Sequence, residues 1–265
     1  MNKTYISVTS IFGNQHMFAR TLQSIAQQQL LPDKCFVFLS EDAHLQDTGF
    51  KDRQITDANL IKLINNHPDL FEIQWVENTG PYRKLLPLLQ QKRNEDCAII
   101  TIDDDAHYKP DFVAHITADY IENKCCVSYR CFDHGIKSLN EFTRYNIKGR
   151  TSVKNGSNNP LYFTTGRGGV LYTPSMFSTV LNVLLDKQLY MQAAPTADDV
   201  WFNFLRAVCD IPVVGPGWSS TTNKIRGGNK HALSKRYNFG GGNNKALKNT
   251  IQLLNDIKTP EWKNI

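Results

Sequence analysis

An α/β fold with a mostly parallel central sheet flanked by helices is predicted for this chain of 265 residues. Three observations predict it. Short apolar runs alternate with stretches of helical periodicity through the first half. Two of those runs, Cys35-Phe36-Val37-Phe38-Leu39 and Cys97-Ala98-Ile99-Ile100-Thr101-Ile102, are almost wholly apolar, as strands buried on both faces are. The resulting β-α-β-α-β-α-β order suits a parallel sheet with helical crossovers.

The elements follow in order. Tyr5 to Ile11 reads as a first strand. Phe18, Leu22, Ile25 and Ala26 share one face of a helix, which Pro32-Asp33 ends. The 35–39 run is the second strand, and Leu60, Ile61 and Ile64 mark a second helix. Phe71 to Val76 alternates as a third strand. Lys84 to Leu89 opens a third helix, with Pro87 tolerated near the first turn. Ala98 to Ile102 is the fourth strand. Beyond it, Pro110 to Ile121 reads as helix, 126–129 as strand, and 133–160 as an irregular excursion. Gly168 to Tyr172 returns to strand. Phe177, Val180, Leu181 and Leu184 share a helical face, as do Trp201, Phe204, Leu205 and Val208. Ile211 to Val214 is a short apolar segment. From Gly215 the glycine-interrupted, basic chain reads as a loop or lid, closed by a helix from Lys245 to Ile257.

Composition bounds the function. With 41% hydrophobic and 21% charged residues the chain buries an ordinary core. A length of 265 residues fits one large α/β domain or two small ones. The net charge of +5 suits acidic ligands, but no basic stripe or motif argues for nucleic acid. The six cysteines include no C-x-x-C pair, so reduced thiols in a cytoplasmic protein are expected, without a zinc site. No signal-peptide core and no run of ~18 apolar residues is present. The basic tail is compatible with peripheral contact at the inner membrane face, which no strongly amphipathic basic helix compels.

The chemistry centres on Asp103-Asp104-Asp105, directly after the fourth strand. Like charges packed side by side repel, and a hard divalent cation, Mn²⁺ or Mg²⁺, relieves that conflict with oxygen ligands. Ligands in such sheets bind at the carboxyl ends of the strands, where these residues lie. Asp105 is the expected metal ligand. Asp103 is assigned to a ribose hydroxyl or the metal, and Asp104 lies between those roles. The plainer alternative is a solvated turn with an aspartate as helix cap.

Four further motifs join it. Asn78 to Pro87 turns at Gly80-Pro81 into a helix start and aims cations at the same sheet edge. Lys84 is the candidate donor-binding cation and Arg83 the reserve, against an ordinary loop-to-helix junction. Asp198 and Asp199 precede an apolar helical face. One serves as a cap, but two exceed that need, and a carboxylate near the metal is a suitable base for a hydroxyl proton. Asp199 is the expected base, with Asp198 as alternative or orienting partner. Thr164 to Val170 is rich in glycine, which permits close backbone approach to a ligand or simply a turn. In the tail, Lys224 to His231 combines cations with glycines as a lid would. His231 is a candidate metal ligand, against the plainer reading of a loop histidine.

Taken in order, Ser7-Val8-Thr9-Ser10, Gly80-Pro81 with Lys84-Leu85-Leu86-Pro87, Ile102-Asp103-Asp104-Asp105, Gly168 to Tyr172 and Asp198-Asp199-Val200-Trp201 resemble bacterial glycosyltransferases of the GT-A (Rossmann-like) fold, close to the family 2-like group. The resemblance covers about residues 3–215 and implies a single domain with a nucleotide-binding half (1–105), an acceptor-side half (106–215), and a basic glycine-rich loop with its C-terminal helix (216–265). It implies a nucleotide-diphospho-sugar donor, a divalent metal, a glycan or glycolipid acceptor in surface-polysaccharide or lipopolysaccharide assembly, and inversion by one displacement. It implies that the position of Asp199 holds the base. It also implies that Ser10 and either Glu41 or Asp42 lie near the nucleotide base. Two competing readings are a sugar-phosphate nucleotidyltransferase and a non-catalytic nucleotide- or glycan-binding protein. The former usually carries a glycine-rich basic loop after its first strand, where this chain has Ser10-Ile11-Phe12-Gly13-Asn14-Gln15.

Overall fold

A computed structural model describes residues 2–145, 151–153, 156–215, 221–225, 234–238 and 240–265. The first half runs β1 (Lys3–Thr9), α1 (Gln15–Ala26), β2 (Lys34–Leu39), α2 (Ala58–Asn66), β3 (Phe71–Trp75), α3 (Leu86–Gln91) and β4 (Cys97–Thr101). After it come β5 (Ala106–Tyr108), α4 (Phe112–Asn123), β6 (Cys126–Ser128), β7 (Cys131–Asp133), β8 (Thr151–Ser152), β9 (Asn158–Asn159), β10 (Phe163–Thr164) and β11 (Val170–Tyr172). The rest is α5 (Leu181–Leu185), α6 (Lys187–Ala193), α7 (Asp198–Val208), β12 (Val213–Val214), β13 (Thr221–Lys224) and α8 (Gly242–Ile257).

The main sheet has the order β3-β2-β1-β4-β11-β6-β12-β9. Strands β3, β2, β1 and β4 are parallel, and β11 runs antiparallel between β4 and β6. The chain leaves β1 in one direction towards β2 and later returns on the other side as β4. A crevice therefore opens at the carboxyl ends of β1 and β4, the switch point at which such sheets bind ligands. The first half matches the sequence reading in the order of its strands and helices.

Strand pleating sorts the core. Tyr5, Phe36, Phe38, Cys97 and Ile99 face one layer, with α3 and α5 to α8. Ile6, Val8, Cys35, Val37, Leu39, Ala98 and Ile100 face the other, with α1, α2 and α4. Successive side chains point to opposite faces, so strands covered on both sides must be apolar throughout. Local signals set the ends of the helices. Asp57 Oδ1 accepts from the Leu60 N–H at 2.9 Å at the start of α2, and Asp186 does the same for α6.

Several segments depart from expectation. The Lys84 segment is a 3₁₀ turn (Gly80–Lys84), and the helix starts two residues later with Pro87 in its first turn. The helical stretch around 177–184 divides into a 3₁₀ turn, α5 and the unanticipated α6. Helix α7 reads as amphipathic but is buried nearly all round, because α8 covers the face turned away from the sheet. Part of the excursion at 133–160 forms β8 and β9. Within the glycine-rich stretch after 215, β13 pairs antiparallel with β5, which satisfies backbone groups that a free loop would leave to water. Among the described residues no helix is long and apolar enough to cross a membrane.

Candidate active site

Strand β4 delivers the three aspartates to the crevice and each takes a different direction. Asp104 turns back towards β1. Its Oδ2 accepts from Ser10 Oγ at 2.5 Å and Asn14 Nδ2 at 3.1 Å, and its backbone carbonyl accepts from Thr21 Oγ1 at 2.8 Å. Burial and the charge of Asp105 hold its carboxyl up, to about 6, against the lowering effect of the Ser10 and Asn14 bonds. Asp103 faces Lys84, whose Nζ lies 3.1 Å from its Oδ1. The Asp103 N–H donates to the Tyr108 hydroxyl at 3.1 Å, and that hydroxyl donates to the Arg167 carbonyl at 3.3 Å. The Asp105 carbonyl accepts from the Ile225 N–H at 3.2 Å, which ties the end of β13 to the acidic turn.

Helix α7 reaches the same point from the other layer. Lys84 Nζ lies 3.0 Å from Asp198 Oδ2, so one ammonium bridges the acidic turn and the start of α7. Burial works against that ammonium, but Asp103, Asp198 and Asp199 outweigh it and hold its pKa well above the ordinary lysine value. Asp199 does not cap its helix. The N-cap is Ala197, and Asp199 Oδ1 instead accepts from the Gly166 N–H at 3.2 Å. Burial first, then the charge of Asp198, pushes Asp199 up to about 7, while Lys84 pulls the other way. Asp198 is raised too, by burial and by Asp103 against the pull of Lys84. The N-terminus of a helix favours negative charge, yet here desolvation and mutual repulsion win.

The glycine turn is part of this cluster. A Cβ on Gly166 would meet Asp103 Oδ1 at 2.6 Å and Lys84 Nζ at 2.7 Å. Only a residue without a side chain lets the backbone lie against that ion pair. The structure thus brings together Lys84, Asp103, Asp198 and Asp199, with Ser10 and Asp104 beside them. Asp42 is exposed at the end of β2, where its carbonyl accepts from Asn78 Nδ2 at 2.7 Å. Glu41, also exposed, pairs with Arg53. His231 lies outside the described residues.

Arg83 is fully enclosed. Its guanidinium contacts Asp47 Oδ2 at 3.2 Å, Ser40 Oγ at 2.7 Å and the Gly80 carbonyl at 3.0 Å. Asp47 also accepts from Asn78 Nδ2 and from the N–H groups of Phe12 and Gly49. This ion pair clasps the loops that follow β1, β2 and β3, which leaves Lys84 as the cation facing the crevice. Asp47, Asn14, Tyr108 and Asn203 escape a sequence reading. Asn203 donates to the Asp199 carbonyl at 2.6 Å. The one available signal was position, since Asn14 and Asp47 each follow a predicted parallel strand.

Among the described residues, Asp103 and Asp198 pair with the Lys84 ammonium, Asp199 acts on it electrostatically, and Asp104 and Asp105 continue the acidic turn. Among the described residues no three His, Cys, Asp or Glu side chains form a ready cage for a metal. The donor set nevertheless fits a hard divalent cation. Such ions commonly take one or two carboxylates and complete their shell with water and substrate phosphates. Asp105 and Asp103 are the residues that would hold it.

No protein-family model and no curated protein matches the chain. Solved structures resemble it in fold. S. aureus TarS in complex with UDP is 15% identical, with a TM-score of 0.50, over 80% of this chain and 58% of that one. The chain therefore spans less than two thirds of the length of that TarS chain. The 4-diphosphocytidyl-2C-methyl-D-erythritol synthase of Anaerococcus prevotii is 12% identical, with a TM-score of 0.51, over 84% of this chain and 90% of that one. These likenesses establish the fold: a Rossmann-like α/β architecture of the GT-A type, as the sequence leads one to expect.

Proposed function

We propose that the chain is an inverting glycosyltransferase, moving a sugar from a nucleotide-diphospho-sugar to a hydroxyl of a glycan or glycolipid. One observation carries this reading: a carboxylate raised to about 7, Asp199, stands beside an ammonium that is shared with the acidic turn. A carboxylate with a neutral pKa is matched to taking a hydroxyl proton, for a typical gain of 10²–10⁴. The UDP bound to TarS, a protein of the same fold, supports a nucleotide ligand.

Each residue then has a task. The Gly166 N–H holds Asp199 Oδ1 and leaves the other oxygen for the acceptor hydroxyl. As that hydroxyl attacks the anomeric carbon from the face opposite the diphosphate, its proton passes to Asp199, and the nucleotide diphosphate departs with the bonding pair. Lys84, held protonated, offsets the growing charge on the departing oxygens. Asp198 and Asp103 fix the ammonium in place. Ser10 and Asp104 line the nucleotide side, with Asp42 at its rim. A divalent ion on Asp105 and Asp103 would supply further neutralisation of the diphosphate.

The test is Asp199→Asn, which is expected to abolish turnover and preserve UDP binding; near-normal turnover would remove Asp199 as the base. A donor is found first by thermal shift against nucleotide diphosphates and their sugars, with and without Mn²⁺. The second reading, a nucleotidyltransferase, draws on the similarity in fold to the Anaerococcus prevotii synthase. Release of pyrophosphate from a nucleoside triphosphate and a sugar phosphate would favour it.

A further inference from the structure

Two arginines beside the cluster have no part in the steps above. Arg130 lies on the turn between β6 and β7, and Arg167 on the 3₁₀ turn before β11. The two turns abut. Thr165 N–H donates to the Arg130 carbonyl at 3.1 Å, and a Cβ on Gly168 would lie 2.5 Å from the Arg130 nitrogen. Arg130 is pre-set by two contacts: its Nη1 lies 2.5 Å from Thr165 Oγ1, and its guanidinium carbon sits 5.2 Å from the centre of the Phe132 ring. Arg167 is half-buried, and its Nε is enclosed without a hydrogen-bond partner among the described residues. Neither guanidinium has a carboxylate partner among the described residues.

A partly desolvated guanidinium without a counter-charge is costly, and an enclosed donor without an acceptor adds to that cost. A ligand that brings an oxyanion removes both costs, and the planar fork of arginine suits phosphate and carboxylate. We propose that the abutting turns 128–131 and 165–168 form an oxyanion-binding site. Its cations are Arg130 and Arg167, and its ligand is a phosphate or carboxylate group of a reactant. Gly166, the next residue after Thr165, donates its N–H to Asp199 Oδ1, so one turn joins this site to the candidate base. The site is on the β6 and β11 side of the sheet, away from β1 to β3. An acidic acceptor and the diphosphate of the donor share this chemistry. Assigning the anion to a reactant rests on the glycosyl-transfer reading, whereas the site itself does not.

The test is calorimetry on the full chain with glucose 6-phosphate and with glucose, each with and without saturating UDP and Mg²⁺. Glucose 6-phosphate is expected to bind and glucose is not. Arg130→Gln and Arg167→Gln are each expected to weaken binding about tenfold, the loss of one charge-assisted hydrogen bond, and Arg130→Lys to recover part of it. Binding that persists beside UDP assigns the anion to an acceptor. Competition with UDP, with UDP affinity weakened by the same substitutions, assigns it to the donor; either result supports the site. Equal binding of glucose and glucose 6-phosphate overturns the proposal without any variant. So does a double variant with unchanged affinity for both UDP and glucose 6-phosphate. Failure of every nucleoside diphosphate and nucleotide sugar in the thermal-shift panel to bind would sink the glycosyl-transfer reading and leave the glucose 6-phosphate result standing.

Discussion

Raising the pH through neutrality is expected to increase turnover and to weaken the fold, and Asp199 contributes to both. In the native chain its carboxyl keeps a proton until about pH 7, whereas an ordinary aspartate ionises near 3.8. Only the ionised form accepts a proton from the acceptor. The rate should therefore fall about tenfold per pH unit below 7, roughly 30-fold by pH 5.5, and level off above. Stability runs the other way. Between about pH 4 and 7 the native state binds one more proton at this site than the unfolded chain, so stability declines as pH rises and stops declining above 7. A rise of about three pH units is worth at most ~4 kcal/mol, less because the half-buried carboxylate keeps part of its hydration. The assays are kcat/KM against pH with the donor found by thermal shift, and urea unfolding of the apoprotein from pH 4.5 to 8. Asp199→Asn should lose the rate and make the stability slope shallower, with Asp104 and Asp198, also raised, keeping the remainder. A rate independent of pH from 5.5 to 8, or a slope unchanged in the variant, would refute the reasoning.

Other perturbations test separate parts of the site. Asp105→Asn is expected to weaken Mn²⁺-dependent UDP binding about tenfold or more by calorimetry, with little change in metal-free UDP binding. Gly166→Ala places a methyl within 2.7 Å of both Asp103 Oδ1 and Lys84 Nζ, which must move apart. Turnover should fall by about tenfold or more while the thermal midpoint shifts by only a few degrees. Asp47→Ala strands the buried Arg83 and should cost about 3–5 kcal/mol in denaturant unfolding. Joint replacement, Asp47→Leu with Arg83→Met, should restore much of that, since no buried charge remains unpaired.

Much of the nucleotide-side architecture was legible in the residue pattern. Strands as apolar as 35–39 and 97–101 admit few alternatives, and their helices carry clear periodicity. The second half resisted because its strands are two to four residues long, too short for alternation to register. Helix α6 was missed because its apolar face is completed by α8, which lies some fifty residues later. Asp47 had no motif to announce it, and its importance arises only where three loops converge.

The order of residues alone determined that carboxylates would crowd the carboxyl end of β4, because a strand buried on both faces can place charge only past its end. It likewise determined that a lysine and an acidic pair would lie at neighbouring element ends. Tertiary structure decided how they meet. Residues 84, 103, 166 and 198 are far apart in the chain, and no local propensity encodes that one ammonium bridges two of the aspartates while a bare backbone presses against it. Nor does sequence assign Arg83 to the interior and Lys84 to the crevice. Those adjacent cations separate because a 3₁₀ turn aims them differently, and Asp47 awaits only the first.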